Sequence, residues 1–141
     1  MREVVFVDGV RTATGKFGGS LSTLPAPVHG GECVKYLVQR TGIDPSEIDE
    51  VIIGTHFQAG IKANSARQCM IYAGLPDTIP AFTPNKNCAT AMKAMHLAAQ
   101  SIQVGDNDVV IAGGSETMSA IPYLLDKARF GYRMGSGEIL D

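Results

Sequence analysis

The residue whose surroundings most favour chemistry is Cys88, within Asn85-Lys86-Asn87-Cys88-Ala89. Phe82 and Thr83 before it read as a short strand, and the residues from Ala89 to Gln103 are good helix formers. The thiol is therefore expected at a strand-to-helix junction. Backbone N–H groups are unpaired at a helix start, and the helix dipole adds partial positive charge there. Both effects favour thiolate over thiol. The same N–H groups can hold the oxyanion formed when a thiolate attacks a carbonyl. The plainer reading is a small residue packed where a helix meets a sheet, and position alone leaves both readings open.

Other chemistry-bearing residues are less well placed. Cys33 and Cys69 fall inside helical patterns on apolar faces, where a cysteine packs as a small hydrophobe. Three cysteines with no CxxC pair point to neither a zinc ribbon nor a redox dithiol. Of the three histidines, His96 lies two helical turns beyond Cys88, too far for a direct hydrogen bond. His56 follows an apolar run at the end of a strand, where open α/β sheets bind ligands, but it reads as a surface residue. His29 has no pattern around it. No Ser/His/Asp set, metal cluster or phosphate loop is present, so no metal is expected.

The elements that must position Cys88 follow from periodicity. Val4 to Val7, Val51 to Thr55, Phe82-Thr83 and Val109 to Ala112 read as strands. Gly30 to Arg40 has helical spacing and stops at Gly42, and Asp44-Pro45-Ser46-Glu47 is a capped turn. Asn64 caps a helix that runs to Ala73, with Gly74 as its stop. In the helix after Cys88, an apolar stripe of Met92, Met95, Ala99 and Ile102 is expected to face the core. Arg11 through Pro27 is a long glycine-containing loop.

Alternation of strands with helix-length connections predicts an α/β fold, a mostly parallel sheet covered by helices on both faces. Four strands leave one edge incomplete, which predicts completion by residues beyond Asp141 or by another chain. A composition of 45% hydrophobic and 18% charged residues excludes general disorder. A net charge of -2 gives no footprint for nucleic acid or an anionic membrane. No apolar run approaches a membrane span and no signal peptide is read, so the cytoplasm is the expected location.

Several segments together resemble one known family. Asn85-Lys86-Asn87-Cys88-Ala89-Thr90-Ala91-Met92-Lys93-Ala94 is similar to the nucleophile segment of the thiolases, the acetyl-CoA acetyltransferases. In the same order along the chain, Arg11 to Leu21, Ala66-Arg67-Gln68 with Ala73 to Pro76, Ala112 to Ser119 with Pro122-Tyr123, and Ala128 to Gly135 resemble further thiolase motifs. The resemblance implies a thiolase-like N-terminal domain over 1–118 and the start of a loop domain over 119–141, a region poorly held without its packing partners. It implies Cys88 as the acyl carrier, with its own N–H helping to hold the thioester oxygen, and coenzyme A thioesters as substrates rather than bound cofactors. It also implies a homo-oligomer, dimer or tetramer, paired near Phe82. The activating histidine and the proton-moving second cysteine belong to a C-terminal half outside these residues, in cis or in trans, and none of the three histidines here matches the former.

Two departures stand out. Thr90-Ala91 replaces a common Ser-Gly, and the two methyl groups are expected to crowd the helix start where an acyl group must fit. Lys62-Ala63-Asn64-Ser65 replaces Gly-Gln-Asn-Pro. Rival readings are a ketoacyl-synthase-type condensing enzyme, using acyl groups on a carrier protein, and a truncated or split chain that binds a partner without catalysis.

Overall fold

The computed structural model describes residues 2–141. Its centre is a sheet of three parallel strands, β1 (Glu50–Gly54), β2 (Ala81–Phe82) and β3 (Val110–Gly114), in the order β2-β1-β3. β1 pairs with β2 through Val51–Ala81 and Ile52–Phe82, and with β3 along its whole length, from Glu50–Val110 to Gly54–Gly114. Because side chains alternate across a strand, β1 serves two cores. Val51 and Ile53, with Ile111, face α2 (Ser65–Tyr72), whose Ala66, Cys69 and Met70 are fully buried. Val34 of α1 (Ala26–Thr41) reaches the same cluster, so that face is two helices deep. Ile52 faces the other way, onto Ala94 and Ala98 of α3 (Thr90–Val104).

The helix boundaries have local causes. Asn64 caps α2 by accepting the N–H of Arg67 at 3.1 Å. Asp44 caps the short 3₁₀ turn at Pro45–Glu47 through the N–H of Ser46. Gly42 and Gly105 end α1 and α3 in left-handed conformations. α1 starts four residues earlier than its apolar spacing indicates, because Pro27 in its first turn needs no N–H partner.

Three expectations are corrected. Val4 to Val7 is not a strand: among the described residues no other strand pairs with it, and Val5, Phe6 and Val7 are exposed. The sheet therefore has three strands rather than four. The buried face of α3 is Thr90, Ala94 and Ala98, while Met92 and Met95 are exposed. Both sets repeat with helical spacing, and the close approach of α3 to the sheet selects the smaller one. From Tyr123 to Asp141 every residue is exposed, and the segment is joined by a single antiparallel bridge, Leu124 with Leu140. No helix is long and apolar enough to cross a membrane among the described residues.

Candidate active site

The carboxyl ends of the three strands open onto one place, the crevice where α/β sheets usually hold ligands. β1 continues into Thr55-His56-Phe57, β2 leads through Thr83-Pro84 to Asn85, and β3 ends at Ser115-Glu116. Cys88 lies between β2 and the first turn of α3, and its side chain is exposed.

The turn that carries Cys88 is held from below and from the side. Below it, buried Thr90 accepts the N–H of Lys86 at 2.7 Å and donates its hydroxyl to the carbonyl of Asn87 at 2.6 Å. At the side, Asn85 accepts the N–H of Asn87 at 3.0 Å and donates its amide to the carbonyl of His56 at 2.7 Å. Asn87 adopts a left-handed conformation at φ 50°, which asparagine tolerates better than most residues. The N–H of His56 donates to Glu116 at 2.8 Å, so one peptide stretch joins the ends of all three strands.

The backbone of this turn has donors to spare. The N–H groups of Ala89 and Thr90 go to the carbonyls of Lys86 and Asn87. Those of Cys88, Ala91 and Met92 have no protein acceptor among the described residues. A thiolate at Cys88, or the oxygen of an acyl group on its sulfur, would meet these free donors and the positive end of a 15-residue helix.

The methyl groups of Thr90 and Ala91 face glycines of the sheet. A Cβ at Gly54 would overlap Thr90 Cγ2, and a Cβ at Gly114 would come within 2.7 Å of Ala91 Cβ. The two methyls thus lie against the space that these glycines leave in the sheet.

The other candidates are distributed as follows. Cys69 is fully buried in α2, and burial pushes its thiol up to about 11. Cys33 is half-buried in α1, on the wall of a cleft of about 770 Å³ between the amino-terminal segment, α1 and the end of β3. Cys88 does not line this cleft, although Glu116 does. His29 lines it too, and His96 is exposed on α3. His56 is not the free surface residue its sequence context indicates: it is half-buried, with its ring against Phe57 and Nδ1 3.4 Å from Asn85 Oδ1. Sequence reading gave no role to Asn85, Thr90 or Glu116. An Asx turn from Asn85 to the N–H two residues on is the one local signal by which sequence could have found any of them.

The chain matches the family model described as "Thiolase, N-terminal domain" over residues 4–141. It is 48% identical to an acetyl-CoA acetyltransferase of Pseudomonas aeruginosa, over all of this chain and 36% of that protein. A probable acetyl-CoA acyltransferase of Staphylococcus aureus is 46% identical with the same coverage. The crystal structure of the Bacillus anthracis acetyl-CoA acetyltransferase superposes with a TM-score of 0.85 at 41% identity, covering 90% of this chain and 32% of that one. The chain thus spans about a third of the length of these relatives. Its sheet order, its strand-to-helix cysteine and its sequence agree on one assignment: the chain belongs to the thiolase family.

Proposed function

We propose that this chain is the acyl-accepting part of a thiolase, with Cys88 as nucleophile and an acyl-CoA as donor. The observation that carries this is the exposed Cys88 thiol beside three free N–H groups at the start of α3. The thiolate attacks the thioester carbonyl, and the negative oxygen that forms is held by those donors. The bond to the coenzyme A sulfur then breaks. Coenzyme A leaves with the proton that Cys88 gave up, and the acyl group stays on Cys88. In condensation, the α-carbanion of acetyl-CoA attacks the acyl carbon, giving a 3-ketoacyl-CoA and free Cys88. Thiolysis is the same sequence reversed.

Coenzyme A thioesters are substrates in this reading, and no permanently bound cofactor is part of it. The groups that activate the thiol and move the α-proton come from the remaining length of the family's chain, in cis or in trans. The proposal extends to a cytoplasmic enzyme of lipid metabolism that assembles as a homo-oligomer through the short edge strand β2. Native mass spectrometry of the protein from its source cells reads the assembly and the chain length together.

The test of the central step is incubation of the protein from its source cells with acetyl-CoA, followed by peptide mass spectrometry. The expected result is one acetyl group, on Cys88, absent from C88A. Acetylation at Cys33 instead, or none at all, sinks the reading. Acyl transfer only from a carrier protein would favour a ketoacyl-synthase-type enzyme. Thiolysis of acetoacetyl-CoA by the 141-residue chain alone is not expected, and observing it would show that the α-proton is moved within these residues.

A further inference from the structure

We propose that Asn85 is a positioning residue for Cys88, tying the turn that carries the thiol to the end of β1. The proposal deepens the reading of Cys88 as acyl acceptor and rests on it for its catalytic meaning. Its geometry stands independently.

The Asn85 side chain uses both its polar atoms, in two different directions. Oδ1 takes the N–H of Asn87 at 3.0 Å and closes the turn immediately before Cys88. Nδ2 donates to the carbonyl of His56 at 2.7 Å, across a sequence separation of 29. The His56 ring adds a longer contact, 3.4 Å from Nδ1 to Oδ1. The far side of the same peptide stretch is fixed, because Glu116 accepts the N–H groups of His56 and Phe57 at 2.8 and 3.3 Å. Asn85 therefore does not hold a loop to another loop. It holds the nucleophile turn to a strand end that β3 already braces.

Such a tie is needed because the turn is strained and exposed. Asn87 sits in the left-handed region, and Asn85, Lys86, Asn87 and Cys88 are all exposed. Thr90 anchors the turn to α3 only. With Asn85 lost, the turn keeps its connection to the helix but can swing relative to the sheet. The thiol then shifts relative to the free N–H groups at the start of α3, and a displacement of about 1 Å is costly for a reacting atom. The ionisable groups on the turn, on α3 and just after β1 and β3 are Lys86 and Cys88, Lys93 and His96, His56, and Glu116. N85A changes none of them.

The experiment compares the chain with N85A and N85S. Asn85→Ser keeps a short acceptor for the N–H of Asn87 but cannot reach His56. Each protein is alkylated with iodoacetamide at neutral pH and the three cysteines are followed separately by mass spectrometry, with amide hydrogen exchange measured in parallel. The expected result for N85A is a Cys88 rate about tenfold lower, with Cys33 unchanged, and faster exchange at Lys86–Ala89 together with His56–Phe57. N85S should recover part of the Cys88 rate while leaving His56–Phe57 exchange fast. A Cys88 rate in N85A equal to or above that of the unmodified chain overturns the proposal. So does a change at Cys33 and Cys69 as large as that at Cys88 in both variants, which would make Asn85 a residue of the general fold. Acetylation by acetyl-CoA is scored separately. Its absence from the protein of the source cells would remove the acyl-acceptor reading, while alkylation and exchange still decide whether Asn85 positions the thiol.

Discussion

The two faces of the sheet are built on different principles. Towards α2, large side chains meet: Val51, Ile53, Ile111, Met70 and Ile79 interlock, and Val34 adds a second helix layer. Towards α3, small residues meet: Ala94 and Ala98 lie on Ile52, while Thr90 and Ala91 enter the notches at Gly54 and Gly114. The first arrangement gains stability from buried area. The second gains less area but brings a helix N-terminus close to the strand ends, which is what a nucleophile at Cys88 requires. The larger buried core and the proposed nucleophile thus lie on opposite sides of the same three strands.

Substitutions can break this division or sharpen it. The largest effect is expected from Met70→Ala, on the thick face: a fully buried side chain lost from a filled core costs about 2–5 kcal/mol. Chemical denaturation should record that loss, while alkylation of Cys88 in the folded protein stays unchanged. Gly54→Ala comes next, at about 1–3 kcal/mol, since its Cβ collides with Thr90 Cγ2. Here the Cys88 rate should change as well, because Thr90 holds the turn. The double variant Gly54→Ala, Thr90→Ser removes the colliding methyl but keeps the hydroxyl, and should recover most of both losses. If it recovers neither, the notch is not what sets the helix position.

Asn64→Ala should cost about 1–2 kcal/mol, because it removes a cap and leaves alanine at φ 49°. It also removes the ties of Asn64 to the carbonyl of Ala81 at 2.8 Å and to the hydroxyl of Thr83 at 3.1 Å. The smallest effect concerns pH. The N–H groups of Val109 and Asp108 hold the Asp49 carboxyl below its ordinary value. A depressed carboxylate stabilises the fold above its unfolded pKa of about 3.9, and this contribution disappears as pH falls through the lower folded value. Denaturation midpoints between about pH 5 and pH 2 should therefore decline less steeply in Asp49→Asn, by under about 1 kcal/mol for so exposed a group.

Sequence periodicity located the central elements well where local and tertiary signals agree. Val51 to Ile53 form a short β-branched run with both faces buried, and Asn64 and Gly74 bracket α2 as their types demand. It failed where the neighbour decides. Val4 to Val7 has the composition of a strand, but a strand exists only with a hydrogen-bonded partner, and a cleft separates this segment from β3. The α3 stripe failed for a related reason: hydrophobicity favours Met92 and Met95, while the helix packs with Thr90 against Gly54 and with Ala94 and Ala98 on Ile52. At the candidate site, the place of Cys88 before a helix was legible. The braces around it were not, because the Asn85–His56 and Glu116–His56 bonds span 29 and 60 residues.

The buried sulfur of Cys69 has a kinetic consequence. With no exposed surface and a thiol pushed up to about 11, it reacts with a water-soluble reagent only when α2 lifts from the sheet. The ratio of its alkylation rate to that of a small model thiol then measures the open fraction of the thick face. Cys88 in the same tube reports the exposed turn at every moment. One molecule thus carries two thiols whose rates separate the opening of its core from the reactivity of its surface, without any added label.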